Sequence, residues 1–432
     1  MQFLILLTAF LPYCSLVLRL PGDVQPWAAL LSWIYWLMLT ESQGWKAKLG
    51  TWDVVLFCFC LFFLIYVYTG GEIELVTYLR KTVVFLLSIA ILWSARYFRI
   101  APMRSALTFA SCAYLVFAVL QYVSTSAYVA LGGLFTKLKN IYIGERGAAS
   151  LAPEATDFGL TMVYVFLFAL ILKARDPVRT RFLGINVYSA IMCIALICIV
   201  LSRSGTGFIG VTVVAGLAYM SQLHRKRYAI GAIGVICTLI VGVLSLPQSV
   251  ITNIRGLQLL FSVFSGFEFL FATSFAHRSI HNIVALISLF ETYGLGHGAG
   301  SFTIVGPEIY DRYGLASQFG MSPWHQEATR VTLSSGALAV TALLITEFGV
   351  VGIAFITVMF SIVWNSRLPY RASILALMAM TWLQSFPAAY PMFWILVGLA
   401  RNPNFSLSEP LSSSKLQFEA TVSDTLKYSR HG

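Results

Sequence analysis

The sequence predicts an all-α fold: a polytopic transmembrane helical bundle of 11–12 spans, with a large external loop containing amphipathic helices. Three observations carry that expectation. Of 432 residues, 58% are hydrophobic and 11% charged, and the mean hydropathy is +0.79; a soluble domain is about 45–50% apolar and about 25% charged. The apolar residues gather in runs close to the length of about 20 residues that one span needs. The basic residues gather in alternate short loops between those runs. A soluble enzyme, a disordered chain and a disulfide scaffold are excluded by this composition.

The runs lie near 2–20, 27–40, 52–69, 77–95, 105–127, 157–172, 183–201, 205–221, 228–246, 335–363 and 372–400. The first reads as a span: no basic region precedes it and no small-residue cleavage site follows, so it is not a removable signal. Tyr13 before Cys14 is too bulky for a lipidated cysteine. The last run carries Pro387 and Pro391 and reads as one helix or as two short ones, which put the C-terminal tail on opposite sides. The chain thus divides into a first bundle segment 1–246, an external loop 247–334, C-terminal transmembrane helices 335–400 and a polar tail 401–432. Within the loop, 257–275 is apolar enough for an interfacial helix with Glu268 on its wet side.

Orientation follows from charge. The net charge is +11, from 29 Lys+Arg and 18 Asp+Glu. Lys46 and Lys48, then Arg96, Arg99 and Arg104, then Lys173, Arg175, Arg179 and Arg181, then Arg225, Lys226 and Arg227, then Arg367 and Arg371 occupy every second connection. The positive-inside rule makes these loops and the N-terminus cytoplasmic. The excess charge is a topology signal, so no nucleic-acid partner is expected. The seven cysteines (14, 58, 60, 112, 193, 198 and 237) sit in apolar runs without paired metal spacing and read as packing or lipid-facing residues.

The candidate chemistry falls in the other, external connections. Arg203, in the turn Ser202-Arg-Ser-Gly-Thr206, is a cation where topology asks for none. It reads either as an arginine snorkelling at a helix end or as a bidentate clamp for phosphate. Arg146 and Glu154 sit in Gly144-Glu-Arg-Gly-Ala-Ala-Ser-Leu-Ala-Pro-Glu-Ala155, just before a span. Arg278 lies in His277-Arg-Ser-Ile-His281, and the four-residue histidine spacing suits zinc on one helix face. No third ligand is suitably spaced, so no metal and no cofactor are expected. Gly294, Gly296, Gly298 and Gly300 alternate through Glu291-Thr-Tyr-Gly-Leu-Gly-His-Gly-Ala-Gly-Ser-Phe302. They read as a turn or as a nest of amides near a phosphate. His325, in Met321-Ser-Pro-Trp-His-Gln-Glu327, reads as a loop histidine or a base. Glu347, in Glu-Phe-Gly-Val-Val-Gly352, is an intramembrane acid or a residue of a close helix contact.

In their order, these pieces resemble the O-antigen ligase and polysaccharide polymerase family of bacterial membrane glycosyltransferases. The matching features are the Ser-Arg-Ser-Gly turn at 202–205, the long external loop with Arg278 and the glycine run ending at Phe302, and Glu347-Phe-Gly-Val-Val-Gly in the next span. The segment from Arg146 to Glu154 resembles the Arg…Glu-Pro loop of exopolysaccharide polymerases, with Pro153-Glu154 in reversed order. Together they cover about residues 130–365. Where the family often has a histidine, at the start of the Glu-x-Gly span, this chain reads Ser334-Ser-Gly-Ala-Leu338, and His325 is the nearest substitute.

The resemblance implies a metal-independent glycosyl transfer at the outer face of a bacterial inner membrane. The donor would be an oligosaccharide on a polyprenyl pyrophosphate. Arg203, Arg278, His325 and Glu154 would serve catalysis; Arg146, His281, Gly296, Gly298 and Gly300 would serve substrate binding. Membrane lipid, a flippase and a chain-length regulator of the same pathway are the implied partners. The expected function is polymerisation of lipid-linked repeat units into exopolysaccharide, O-antigen or capsule. A ligase moving the finished glycan onto a lipid core is the alternative within the family. A transporter without chemistry is the alternative outside it, and the chain lacks the internal repeat expected of one.

Overall fold

The computed structural model describes residues 1–15, 24–43, 50–67, 75–136, 147–176, 181–182, 185–222, 274–319, 321, 323–384 and 388–405. Among them the first half of the chain forms α1 (Gln2–Phe10), α2 (Trp27–Gln43), α3 (Thr51–Ile65), α4 (Leu75–Ala95), α5 (Ile100–Val123), α6 (Thr125–Phe135), α7 (Ala155–Arg175), α8 (Val187–Ser202) and α9 (Gly205–Gln222). The second half forms α10 (Ser274–Glu291), α11 (Phe302–Arg312), α12 (Leu315–Gln318), α13 (Pro323–Ser335), α14 (Val340–Trp364), α15 (Arg371–Gln384) and α16 (Pro391–Leu399). The described extended pairing is a two-residue antiparallel ladder, β1 (Arg181–Phe182) with β2 (Ile185–Asn186), and one isolated bridge, Val67 to Ala299. The expected span at 228–246 and the apolar stretch 257–275 lie outside the described residues.

Three described helices are long and apolar enough to cross a membrane: α5, α7 and α14. The centre of the bundle is α7, apolar on all sides and buried from Phe158 to Ala169. It packs against α5, α8, α9 and α15. Gly159 and Gly207 let α7 and α9 touch: a Cβ on Gly207 would lie 3.1 Å from the Gly159 Cα. Small residues at such a contact admit backbone to backbone where no water drives association.

One end of the bundle is held by buried charge. Asp53, fully buried in the first turn of α3, receives the Arg96 guanidinium after α4 and, at 2.7 Å, Arg401 Nη1 after α16. It also accepts the Gly50 amide at 2.6 Å. At the same end Arg104 donates to Asp176 at 2.9 Å, and the Gln2 amide reaches the Tyr97 carbonyl at 2.9 Å. The start of α1, the α4–α5 and α7–α8 connections and the end of α16 therefore share one end. The two-helix form of the last apolar run holds: α15 leaves this region, α16 returns to it, and Pro391 starts α16 where a missing N–H costs nothing. Asn402 fastens the return by donating to the Ala95 and Phe98 carbonyls, both at 2.9 Å.

Three runs differ from the sequence expectation. The first helix stops at Phe10, because Pro12 disfavours helix at Leu11 and supplies no amide. The run 105–127 breaks at Ser124, whose hydroxyl accepts the Ala127 amide and starts a separate helix, so α6 occupies the opening of the expected loop 128–156. The run 335–363 is interrupted at Gly349 (φ 56°, ψ −131°), and its uninterrupted part, 350–364, measures about 22 Å. Among the described cysteines, Cys60 and Cys198 are buried, Cys58, Cys112 and Cys193 are exposed, and none is paired.

Two measurements test this arrangement. A cysteine at position 404 should react with an impermeant maleimide from the same face as one at 99, and from the face opposite one at 203. Asp53→Asn leaves two largely buried guanidinium groups uncompensated and should cost about 3–5 kcal/mol, read as early thermal unfolding in detergent. Arg401→Met leaves the Asp53–Arg96 pair in place and should cost less.

Candidate functional site

The end opposite Asp53 is built where α5, α7 and α8 finish or begin. The segment 147–152 is bound there by backbone and side chain. Gln121 Oε1 accepts the Ala149 and Ser150 amides at 2.9 and 3.1 Å, and the Tyr128 hydroxyl donates to the Ser150 carbonyl at 2.7 Å. The Ala148 amide and the Tyr122 hydroxyl both donate to the Leu201 carbonyl, at 3.0 and 2.9 Å. Gly147 sits at φ 75°, and a Cβ there would lie 2.5 Å from the Ser202 carbonyl oxygen, so glycine is required on both counts. The residue after Arg146 thus touches the residue before Arg203. Arg146 itself lies outside the described residues.

Arg203 closes α8 in the left-handed region, at φ 48° and ψ 24°, with its side chain exposed. Glycine is the usual residue for a helix end of this shape, and a non-glycine residue held there costs about 1–2 kcal/mol. The flanking serines fix the turn. Ser202 donates to the Ile199 carbonyl at 2.7 Å, and Ser204 Oγ caps α9 by accepting the Gly207 amide at 3.1 Å. Glu154 stands at the N-cap of α7, partly exposed, where the helix N-terminus favours an anion. The structure therefore brings Gly147 and Ala148, between Arg146 and Glu154 in sequence, onto the Arg203 turn.

The glycine loop has a different role from an open anion nest. His297 and Gly298 donate their amides to the Thr346 and Glu347 carbonyls at 3.0 and 2.8 Å, and the Val350 amide donates to the Gly294 carbonyl at 2.8 Å. Ala299 donates to the Tyr66 carbonyl at 2.8 Å, and Gly296 donates to Thr292 Oγ1 at 3.1 Å. The amides of Gly296 and Gly298 are thereby spent inside the protein and do not face a ligand. Gly300, at φ 89°, continues the same left-handed turn. A Cβ on Gly296 would meet the Gly349 amide at 2.6 Å, and one on Gly349 would meet the Gly294 carbonyl at 2.0 Å. Gly352 approaches Leu344 so closely that a Cβ would stand 2.1 Å from its carbonyl oxygen. Residues eight apart in a straight helix are about 12 Å apart, so α14 folds back on itself at the break. Glu347, buried, accepts the Phe302 amide at 3.4 Å and places its carboxyl group at the N-terminus of α11.

His281 serves packing. It is fully buried, stacks on Phe302 with ring centroids 5.5 Å apart, and lies between two partners. Its Nδ1 accepts the Leu338 amide at 3.3 Å, which leaves Nε2 to face Thr332 Oγ1 at 3.4 Å. Both nitrogens are engaged by protein, which removes the His277/His281 zinc arrangement and the expected substrate contact alike. The side chains of His277 and Arg278 lie outside the described residues, although both residues belong to α10. His325 is half-buried on α13, edge-on to Trp324 at 5.0 Å. Its carbonyl accepts the Thr329 hydroxyl at 2.8 Å within α13.

One histidine escaped the sequence reading. His297 Nε2 is buried without a hydrogen-bond partner. Burial pushes its imidazole below the ordinary value, against Glu291 and Glu308 and with Arg312, so the ring is neutral at pH 7. Its place between two glycines of the matched motif was the available signal. No family model matches the chain, and no curated protein matches it.

Gly349→Ala and Gly296→Ala both demand a strained backbone and a clash with main chain, and each should destabilise by more than about 1 kcal/mol. Limited proteolysis should then open residues 292–301 first. Unchanged protection in both variants would show that the loop does not depend on this close approach.

Proposed function

We propose that the chain is a polytopic inner-membrane glycosyltransferase that polymerises polyprenyl-pyrophosphate-linked oligosaccharide units into surface polysaccharide. The observation that carries this reading is the contact of Gly147 and Ala148, next to Arg146 in sequence, with the Arg203 turn, at the end opposite Arg96, Arg104 and Asp53. The positive-inside rule makes that end external. An exposed arginine in a left-handed position, where glycine would cost less, supports a functional cation over a chance one.

The chemistry asks little more of the protein than fixed cations and orientation. A hydroxyl of the acceptor sugar attacks the anomeric carbon of the donor. The new C–O bond forms as the bond from that carbon to the pyrophosphate oxygen breaks; the lipid pyrophosphate leaves with the electron pair, and the hydroxyl proton passes to water at this external end. Arg203 and Arg278 would hold the developing charge bidentately without reorganising. Glu154, at the N-cap of α7, would orient the attacking hydroxyl.

Removing one donor of a preorganised anion site costs about 2.7–4 kcal/mol, or roughly 100- to 1,000-fold in rate. Arg203→Ala and Arg278→Ala should each lose long-chain product by that order in proteoliposomes with a purified lipid-linked donor. Arg203→Lys should recover part of it, and Arg99→Ala, at the opposite end, should remain active. Arg203→Gly separates fold from function: it relieves the left-handed strain and should unfold at the same temperature or later, yet polymerise as poorly as the alanine variant. Normal chain length in both alanine variants would sink the pyrophosphate clamp.

A further inference from the structure

Helix α10 is apolar on two faces. Its inner face, Ile280, Val284 and Ala285, packs into the small core with Phe302, Ile309 and Leu333. Its outer face carries Leu286 and Phe290, one turn apart, and Tyr293 extends this apolar surface two residues past the helix end, in left-handed backbone at φ 53°. Phe290 is 78% exposed and Tyr293 96%. Exposed apolar surface of this kind, rimmed by polar groups, marks an interaction face.

The two edges of the stripe identify what covers it. Along one edge runs a polar network: Arg312 donates to Glu291 at 2.8 Å, Tyr313 donates to Glu291 at 3.0 Å, and Arg312 pairs with Glu308. Along the other edge the chain is bonded to a membrane-capable helix, through the Val350 amide on the Gly294 carbonyl. Val350 and Leu295 are exposed there, and so is Ile65 at the end of α3, which is joined to the same loop through Tyr66 and Ala299. The stripe is therefore continuous with the exposed apolar sides of α3 and α14 and bounded by charge on its far side.

We propose that α10 lies in the bilayer interface at the end opposite Asp53, with Leu286, Phe290 and Tyr293 against lipid acyl chains and Glu291, Glu308 and Arg312 in water. The proposal stands apart from the glycosyl-transfer reading, since it concerns where a helix rests and not what the site does. It fixes the depth of the glycine loop at the boundary between lipid and water.

Single nitroxide labels at 286, 290 and 293 of a cysteine-free variant in proteoliposomes test it. At all three, relaxation by oxygen should exceed relaxation by a water-soluble nickel chelate, as at position 350, with position 330 showing the reverse. Nickel access at 286 and 290 would overturn the proposal, and so would exclusion of both reagents, which would mean a protein partner or a second copy. Should the cysteine-free variant fail to fold, the native chain can be photolabelled with a phosphatidylcholine carrying a diazirine in its tail. Adducts within 286–295 support the proposal, and adducts confined to α5 and α14 overturn it.

Discussion

The break in α14 at Gly349 obliges the surrounding structure to take its present form. In an uninterrupted helix the Val350 amide would return to the Thr346 carbonyl. The left-handed turn at Gly349 prevents this and strands both groups in an apolar setting, where each unpaired one costs about 1–3 kcal/mol. The glycine loop supplies the missing partners: Thr346 O takes the His297 amide, Glu347 O takes the Gly298 amide, and Val350 N finds Gly294 O. Non-helical backbone at membrane depth is tolerated only when protein satisfies it in this way. The loop in turn requires glycine, because its main chain approaches the broken helix more closely than any Cβ permits.

A second constraint acts at the other end. Asp53 is a buried carboxylate held between two arginines that come from the ends of α4 and α16, far apart in the chain. Burial of such a group is affordable only with partners on both oxygens, and Gly50 adds a third. The α3–α4 hairpin and the last helix are thereby tied to one level. With that level set, the ends of α5 and α8 and the start of α7 fall together at the opposite pole, and the Arg203 turn is formed from them. Charge placed in one region thus decides which residues can meet in another.

Legibility in the sequence followed from the range of the interactions. Composition and alternating basic loops are properties of whole segments, so the helical class and the grouping of connections were readable from them. The break at Gly349 was hidden because hydropathy runs unchanged through it, and what forces it is a loop some fifty residues away. Glycines 294 to 300 were visible as a pattern, but a pattern of glycines does not say whether backbone approaches a ligand or another backbone. His281 was read by its spacing from His277, whereas its role is set by Leu338 and Thr332, which no local spacing contains. Asp53 drew no attention, since its arginines stand 43 and 348 residues away. Arg203 was legible because its signal was local: a cation in the wrong loop, beside residues that end one helix and cap the next.

The strain at Arg203 and the strain at Gly349 are of different kinds. At Gly349 the sequence supplies the residue that the conformation prefers, and hydrogen bonds on both sides use what the turn frees. At Arg203 it supplies a residue that the conformation disfavours, with a side chain that points out of the protein and does nothing for the packing of α8 on α9. Stability alone would place glycine there. Ser202 and Ser204 hold the turn by their own bonds, so the guanidinium is not needed to shape it. Gly147, one residue after a second arginine, presses on that same turn through main chain alone. The Arg203 turn is thus shaped by backbone contacts and serine hydroxyls that make no use of the guanidinium charge.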